Sequence, residues 1–319
     1  MFKQTPNKIS WASKWLLLAV SVLIFSACED DTVEPPPTEP VKPDSVATLY
    51  AGQTGDNEIT VLWKRSPNES QTWFDYYQVE ILDGSNSVAK VTVPKGSGDA
   101  YYTFSNAVLS KEYEFRVWIV ANVINEGETA YARGPASITK WATAKHFTKN
   151  YNNASIKVYL KEASYGSGLE LYGEDSYPVT HKVSSGAKWN LAVGSKSDVI
   201  IGTASSVASK VSFNLTGTPN DATITDPLND DFDNLTSTLL DRGLDKLVFS
   251  KSYINLINFN NRTKGLAFFA KIGNNYAKVV VIKNGSSWIH DASSADPYIL
   301  LQVSYQTAAG IPYAKIFGY

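Results

Sequence analysis

The sequence has few of the residues on which redox and metal chemistry most often depend. Its 319 residues include one cysteine, Cys28, one methionine, Met1, and three histidines, His146, His181 and His290. A single cysteine cannot close a disulfide within the chain. The fold must therefore be stable without disulfide bonds, although an exported protein would be free to form them.

The local motifs of common enzyme classes are also missing. There is no Gly-x-Ser-x-Gly nucleophile elbow, no His-Glu-x-x-His zinc motif and no phosphate-binding loop. Glycoside hydrolysis needs two carboxylates that flank a cleft, and Glu170, Glu174 and Asp175 lie in a region rich in tyrosine and glycine. Their positions in sequence do not show that they face one another. We predict that the chain is not an enzyme, and we keep a glycoside hydrolase or its accessory module as an alternative.

Excess positive charge is missing as well. The chain carries 29 basic and 31 acidic residues, a formal net charge of −2. Nucleic-acid binding calls for a basic patch, so no nucleic-acid partner is predicted. The acidic cluster at residues 226–233 lacks the spacing of an EF-hand, and acids near a helix start are favoured by the helix dipole. We therefore predict neither a metal site nor a cofactor.

One short apolar run stands at the start of the chain. Residues 16–25 are almost entirely apolar and follow a segment with three lysines and no acid. A basic start, a short apolar run and small residues before a break are typical of a secretory signal. A membrane span needs roughly 20 residues. Residues 1–27 are therefore predicted to be a signal peptide, with an uncleaved anchor as an alternative.

The end of this run, Phe25-Ser26-Ala27-Cys28, resembles the lipobox of bacterial lipoproteins, although Phe25 stands where leucine is usual. The resemblance implies that Cys28 carries lipid, including palmitate, and becomes the first residue of the mature protein. Two or more acyl chains anchor a protein stably. Residues 29–31 are all acidic and look like the surface-export signal of Bacteroidota-type lipoproteins. The implied location is the outer membrane, at the cell surface, with an ordinary cleaved signal as the alternative.

Residues 28–44 are predicted to be an acidic and proline-rich tether. The segment 32–43 contains five prolines, and such a segment favours the polyproline II conformation at about 3.1 Å per residue. Thr32 and Ser45 each stand in an Asp-Ser/Thr-aliphatic sequence that resembles glycosylation sites of the same bacterial group. Both are therefore candidates for glycosylation.

Residues 45–144 show the two-residue alternation of β-strands. In Glu58–Lys64 the apolar positions are Ile59, Val61 and Trp63, and turn residues separate the successive runs. Short strands spaced in this way favour a sandwich of two sheets. The further predicted strands are 76–82, 88–93, 100–104, 113–121 and 137–142, with Tyr77, Val79, Ile81, Tyr113, Phe115, Val117 and Ile119 facing inward.

The same residues resemble a fibronectin type III domain. Trp63 matches the buried tryptophan of that family, and Tyr113 matches a tyrosine whose hydroxyl folds back to the chain. The family usually has leucine six residues before this tyrosine, where this chain has Ala107, and Leu109 stands nearer. The resemblance implies a spacer or binding domain without catalytic residues. Trp73, near the loop that follows the Trp63 strand, is a candidate ligand-binding residue, or it covers the core.

Residues 145–319 are predicted to form a larger β-sandwich or barrel with about one helix. Apolar and polar residues alternate in about ten runs, and Gly273-Asn274-Asn275 joins two of them as a hairpin. The segment 231–241 reads as the helix, with Gly243 as its C-cap. The predicted strands are 155–161, 168–172, 188–193, 198–202, 210–215, 254–259, 266–272, 276–282, 298–305 and 313–317.

Two stretches of this second domain resemble HmuY-like haem-binding lipoproteins. Residues 188–193 look like their Trp-Asp-Leu-Ala segment, and residues 265–305 look like their paired strands. The resemblance implies haem capture, which needs axial ligands such as paired histidine or methionine. No spacing of the three histidines fixes such a pair, so haem binding is kept as an alternative.

The leading prediction is a surface-exposed, lipid-anchored binding or adhesion module for a glycan or protein ligand, with the first domain as its spacer. Trp73, Tyr172 and Trp288 are the candidate ligand-binding residues, because exposed aromatic rings stack on sugars and on partner proteins. Tyr165 and Tyr177 belong to the same predicted platform. A place in the core is the alternative for all of these rings.

Overall fold

The structure is a computed structural model that describes residues 42–125, 128–160, 166–173, 175–182, 188–195, 199–203, 218–219, 222–227 and 248–311. Residues 42–319 form one compact unit. The described part of this unit is almost entirely β-structure, so the predicted all-β class is confirmed. The signal, Cys28, Thr32, the predicted helix and the predicted strands 210–215 and 313–317 lie outside the described residues. Within the described ranges, no helix is long and apolar enough to cross a membrane.

Eight strands form the first sandwich. They are β1 (Ala47–Gly55), β2 (Glu58–Lys64), β3 (Phe74–Asp83), β4 (Asn86–Pro94), β5 (Ala100–Phe104), β6 (Glu112–Asn125), β7 (Glu128–Arg133) and β8 (Ser137–Ala142). One sheet has the order β1-β2-β5. The other has the order β4-β3-β6-β7, and β8 pairs with the first half of β6, so the sheet has five strands. All pairings are antiparallel, and the predicted two-sheet sandwich is confirmed.

The inward positions that the alternation predicts make the core of this sandwich. Trp63 and Tyr77 are fully buried, and their ring centroids lie 5.4 Å apart at 68°. Strands β1 and β7 were not predicted from sequence. Register shifts interrupt β1 between Ala47 and Leu49 and again near Gly55, and such irregular strands lack a clean two-residue period. The other fully buried inward side chains are Ile59, Val61, Val79, Ile81, Phe115, Val117 and Ile119.

The turn before strand β6 has the tyrosine arrangement that the resemblance implies. The hydroxyl of Tyr113 accepts a hydrogen bond from the backbone N–H of Val108 at 3.1 Å. Ala107 is 3% exposed and joins the core, whereas Leu109 is 44% exposed. The smaller alanine therefore occupies the buried position six residues before the tyrosine, and the leucine nearer to it does not replace it.

Two larger sheets form the second sandwich. The strands are β9 (Lys145–Phe147), β10 (Ile156–Tyr159), β11 (Gly168–Glu170), β12 (Val179–His181), β13 (Lys188–Trp189), β14 (Leu191–Ser195), β15 (Val199–Gly202), β16 (Thr218–Pro219), β17 (Thr223–Ile224), β18 (Tyr253–Asn255), β19 (Gly265–Ile272), β20 (Asn275–Ile282) and β21 (Tyr298–Gln306). One sheet has the order β10-β21-β20-β19-β17, with β9 on β21, and the other has the order β12-β11-β14-β15-β18. Strands β13 and β16 belong to neither of them and pair in parallel as a separate two-stranded sheet. The facing apolar side chains of the two larger sheets form one core, so the described part of the second domain is a sandwich rather than a barrel.

Local hydrogen bonds set the limits of several strands. The predicted strand 254–259 ends at Asn255, whose side chain accepts from the N–H of Ile257 and starts a 3-10 turn at Leu256–Phe259. The predicted strand 188–193 is broken at Asn190, whose side-chain oxygen accepts from the N–H of Leu171 at 2.8 Å. The predicted hairpin between β19 and β20 is confirmed, and Gly273 supplies its positive φ of 56°.

The two sandwiches pack directly against each other. Phe269 of strand β19 and Ile311 belong to the same buried cluster as the core of the first sandwich. The side-chain amide of Gln306 donates to the carbonyl of Ala142 at 2.6 Å. Gln53 bonds to both the N–H and the carbonyl of Ala144, at 2.6 Å and 3.1 Å. The connection between β8 and β9 is thus held by both sandwiches and is buried.

Candidate ligand-binding surface

The outward positions of the five-stranded sheet carry aromatic side chains. Successive residues of a strand point to opposite faces of its sheet. In β3, Tyr77 is buried in the core and Tyr76 is on the outer face; in β6, Val117 and Ile119 are buried and Trp118 is on the outer face. Tyr76 and Trp118 are half-buried, so part of each ring is accessible.

Strand β7 adds two side chains to the same face. Tyr131 is 62% exposed, and its ring centroid lies 6.4 Å from that of Tyr76. Arg133 is exposed, and its guanidinium carbon lies 5.6 Å from the centroid of the Trp118 ring. We refer to Tyr76, Trp118, Tyr131 and Arg133 as the aromatic face.

Three other cations of this sheet form ion pairs with carboxylates. Measured from nitrogen to oxygen, the pairs are Arg116–Glu114 at 2.6 Å, Lys90–Glu80 at 3.4 Å and Lys140–Glu112 at 3.1 Å. Arg133 forms no ion pair with a carboxylate among the residues that the structure describes. Its guanidinium lies over the indole of Trp118, and such a contact leaves the N–H edge of a guanidinium free to donate.

Trp118, Tyr131 and Arg133 were not predicted as ligand-binding residues, although the sequence held a signal for the aromatic rings. The alternation that places Tyr77 in the core also places Tyr76 outside, and the same holds for Trp118 beside Ile119. An aromatic residue in the polar phase of a strand is the signal. The strand pairing β3-β6-β7 is what brings these rings together.

Trp73 lies at the end of the first core. It is half-buried and packs against that core, and its ring centroid is 6.2 Å from that of Phe74. Its carbonyl accepts from the N–H of Asn122 at 2.7 Å. Its position agrees with the alternative reading, in which the ring covers the core.

Tyr172 and Tyr177 meet in an aromatic cluster at the end of the second sandwich. The ring of Tyr172 stacks on Tyr305 at 4.6 Å and 9°, and Tyr177 lies 5.2 Å from Phe147. The ammonium of Lys145 sits 4.1 Å from the centroid of Tyr177. Burial, and secondarily Tyr172, raises the pKa of Tyr305. The ring faces of Tyr172 and Tyr177 are therefore in contact with neighbouring side chains of the protein. Tyr165 lies outside the described residues.

Trp288 belongs to the second core. It is 3% exposed, and its indole N–H donates to the side-chain oxygen of Asn260 at 2.9 Å. The ammonium of Lys283 lies 5.0 Å from its ring centroid. A ligand cannot stack on a ring that is buried to this degree, so the predicted platform of Tyr172 and Trp288 is not formed by this arrangement.

The three histidines lie on β9, on β12 and on the turn before β21. Their polar partners are Gln302 for His146 at 3.3 Å, Glu170 for His181 at 2.9 Å, and the carbonyl of Ile282 for His290 at 3.0 Å. Burial lowers the pKa of His146, and the bond to Gln302 opposes this shift. The haem alternative stays a prediction.

The candidate carboxylates are only partly described. Glu170 is bonded to His181, Asp175 is exposed in a turn, and Glu174 lies outside the described residues. The acidic cluster at residues 226–233 is described only at Asp226 and Pro227. Within the described parts of the chain, no three His, Cys, Asp or Glu side chains are grouped so that they could hold a metal ion.

Comparisons with known proteins identify structural likeness only. No protein-family model and no curated protein matches the chain. Solved structures that it resembles include the crystal structure of the rat CD45 extracellular region, domains d3-d4, at 20% identity and a TM-score of 0.25. That match covers 32% of this chain and 51% of the CD45 chain. At this TM-score the fold assignment rests on the strand order and the core, and on them alone.

Proposed function

We propose that the protein is a non-catalytic binding module, anchored by lipid at the outer face of a bacterial outer membrane, that takes a glycan through the aromatic face. The observation that carries the binding function is the exposed Tyr131 beside Tyr76, Trp118 and Arg133. Large aromatic rings with one polar end are the side chains that binding surfaces favour.

The surroundings of the aromatic face favour a sugar over a flat protein surface. Val120, the aliphatic residue that lies between Tyr76 and Arg133 in the sheet, is only 1% exposed. A ligand would therefore meet separate rings bordered by polar groups. A saccharide offers hydroxyls to such groups and apolar ring faces to aromatic side chains. A protein ligand remains the other outcome of the test below.

The binding proposal predicts that Trp118→Ala and Tyr131→Ala each weaken retention in a glycan affinity gel by about tenfold, because each removes one stacking ring. Tyr131 is 62% exposed, so its truncation should leave the fold intact. Tyr101→Ala is the matched control, because Tyr101 is 64% exposed on the opposite sheet. Retention of neither glycans nor envelope proteins by the unmodified protein would show that the binding function is wrong.

The anchoring proposal rests on Cys28, the lipobox-like residues before it and the acidic residues 29–31. Metabolic labelling with an alkynyl palmitate should mark the natural chain and leave Cys28→Ala unlabelled. Replacement of residues 29–31 by alanine should keep the label but remove the protein from the reach of protease added to intact cells. Labelling of the Cys28→Ala variant would contradict the anchor.

A further inference from the structure

We infer that the saccharide taken by the aromatic face is acidic, and that its carboxylate or sulfate pairs with Arg133 while its sugar rings stack on Tyr131 and Tyr76. This inference rests on the proposed glycan function and adds the chemical class of the ligand. It depends on three features of the described residues: an exposed cation without an ion pair, the rings beside it, and a cleft that reaches it.

The first feature is the state of Arg133. Three other cations on this sheet, Lys90, Arg116 and Lys140, are already paired with neighbouring glutamates. The guanidinium of Arg133 instead lies over the Trp118 ring, 5.6 Å from its centroid. The Arg133 side chain is exposed, so its N–H groups can reach a ligand. A guanidinium held in this way is suited to bidentate pairing with a carboxylate or sulfate.

The second feature is the position of the rings. Tyr76, Val120 and Arg133 are cross-strand neighbours on one row of the sheet, and adjacent strands lie about 4.8 Å apart. Tyr131 lies two residues before Arg133 on the same strand and therefore on the same face, in the next row of the sheet. Its ring centroid is 6.4 Å from that of Tyr76. An anionic group on Arg133 would therefore place the next sugar units over Tyr76 and Tyr131.

The third feature is an open cleft of about 690 Å³ on the other side of Arg133. Residues 42–45 line one part of it, and Arg133, Gly134 and Pro135 line the other. A Cβ at Gly134 would lie 2.4 Å from the carbonyl oxygen of Pro43, so only glycine lets the turn pack this closely. Two cations, Lys42 and Arg133, border the cleft against one acid, Asp44, which favours an anionic occupant.

The test uses the full mature chain and a panel of acidic polysaccharides with neutral counterparts. The acidic polymers are polygalacturonate, alginate and chondroitin sulfate, and the neutral counterparts are their methyl-esterified forms, with the chondroitin sulfate also desulfated. We expect retention of at least one acidic polymer, about tenfold weaker retention of its neutral form, and the same loss in Arg133→Gln. The matched control is Arg116→Gln, which removes a cation that already has a partner, and it should bind as the unmodified protein does.

The other results separate the two proposals. Equal retention of the charged and neutral forms, lost in Tyr131→Ala, overturns the acidic class and leaves glycan binding standing. Equal losses in Arg133→Gln and Arg116→Gln indicate attraction by general charge and overturn the site. Binding of poly-glutamate without any saccharide identifies an acidic protein ligand and overturns the inference. Retention of no saccharide, acidic or neutral, rejects the proposed glycan function itself.

Discussion

Glu69 lies in a compact polar cluster beneath the loop that follows strand β2. Its carboxylate accepts from Arg65 at 2.9 Å and from the N–H of Gly96 at 3.2 Å. The hydroxyl of Tyr77 accepts from the N–H of Ser66 at 2.6 Å. Burial works to raise the pKa of Glu69, but hydrogen bonds from Tyr77, Arg65 and Gly96 outweigh it, and the pKa is lowered. Burial raises the pKa of Tyr77, so this hydroxyl stays protonated and continues to donate.

Glu69→Gln is expected to lower the free energy of unfolding at pH 7 by about 2 kcal/mol, the usual value for hydrogen bonds to a charged group. A carboxylate with a lowered pKa stabilises the fold above its ordinary value of 4.5. That stability is lost as the pH falls through the folded-state pKa. The difference between the two proteins in urea unfolding should therefore shrink as the pH is lowered from 7 towards 3. Glu112→Gln is the control, because its exposed pair with Lys140 should contribute less than about 1 kcal/mol. A difference that does not shrink as the pH falls would contradict this account.

At the scale of the elements, the strand phase could be predicted from sequence wherever the alternation was clean. Strands β2, β5 and β8 have the predicted bounds, and the predicted inward residues of β2 are fully buried. The prediction was wrong where a side-chain hydrogen bond replaced a backbone one, as at Asn190 and Asn255. Such bonds compete with strand pairing but leave no trace in the hydrophobic pattern. The outward rings of the aromatic face were predictable in phase, but their proximity depends on strand order.

At the scale of the whole molecule, the first domain is not a freely hinged spacer, because the second sandwich completes its core. Phe269 and its neighbour Phe268 show how the two cores are joined. Both side chains are fully buried, at 0% exposure. Phe268 belongs to the core of the second sandwich, whereas Phe269 belongs to the core of the first. One strand, β19, therefore contributes to both cores from its two faces.

Phe269→Ala is expected to separate the unfolding of the two sandwiches. The natural chain should unfold in one calorimetric transition, because the shared core couples its two halves. Phe268→Ala should lower the stability by about 3–5 kcal/mol and keep one transition. Phe269→Ala should lower it similarly but produce two transitions, since it removes the side chain that the first core shares. Two transitions in the natural chain, or one in Phe269→Ala, would show that the coupling does not depend on this contact.

The sequence by itself determined the all-β class, the inward residues of the regular strands, and the expectation of export and lipidation at Cys28. These predictions depend on local patterns, either a two-residue period or a short motif, which can be recognised from neighbouring residues without knowledge of the tertiary structure. The tertiary structure alone decided that Trp288 is buried, that Tyr172 stacks on Tyr305, and that Tyr131 stands exposed beside Tyr76. Accessibility depends on which strands become neighbours and on what covers each ring. Aromatic side chains contribute both to cores and to binding surfaces, and only the surroundings of a ring in the folded chain decide which of the two it joins.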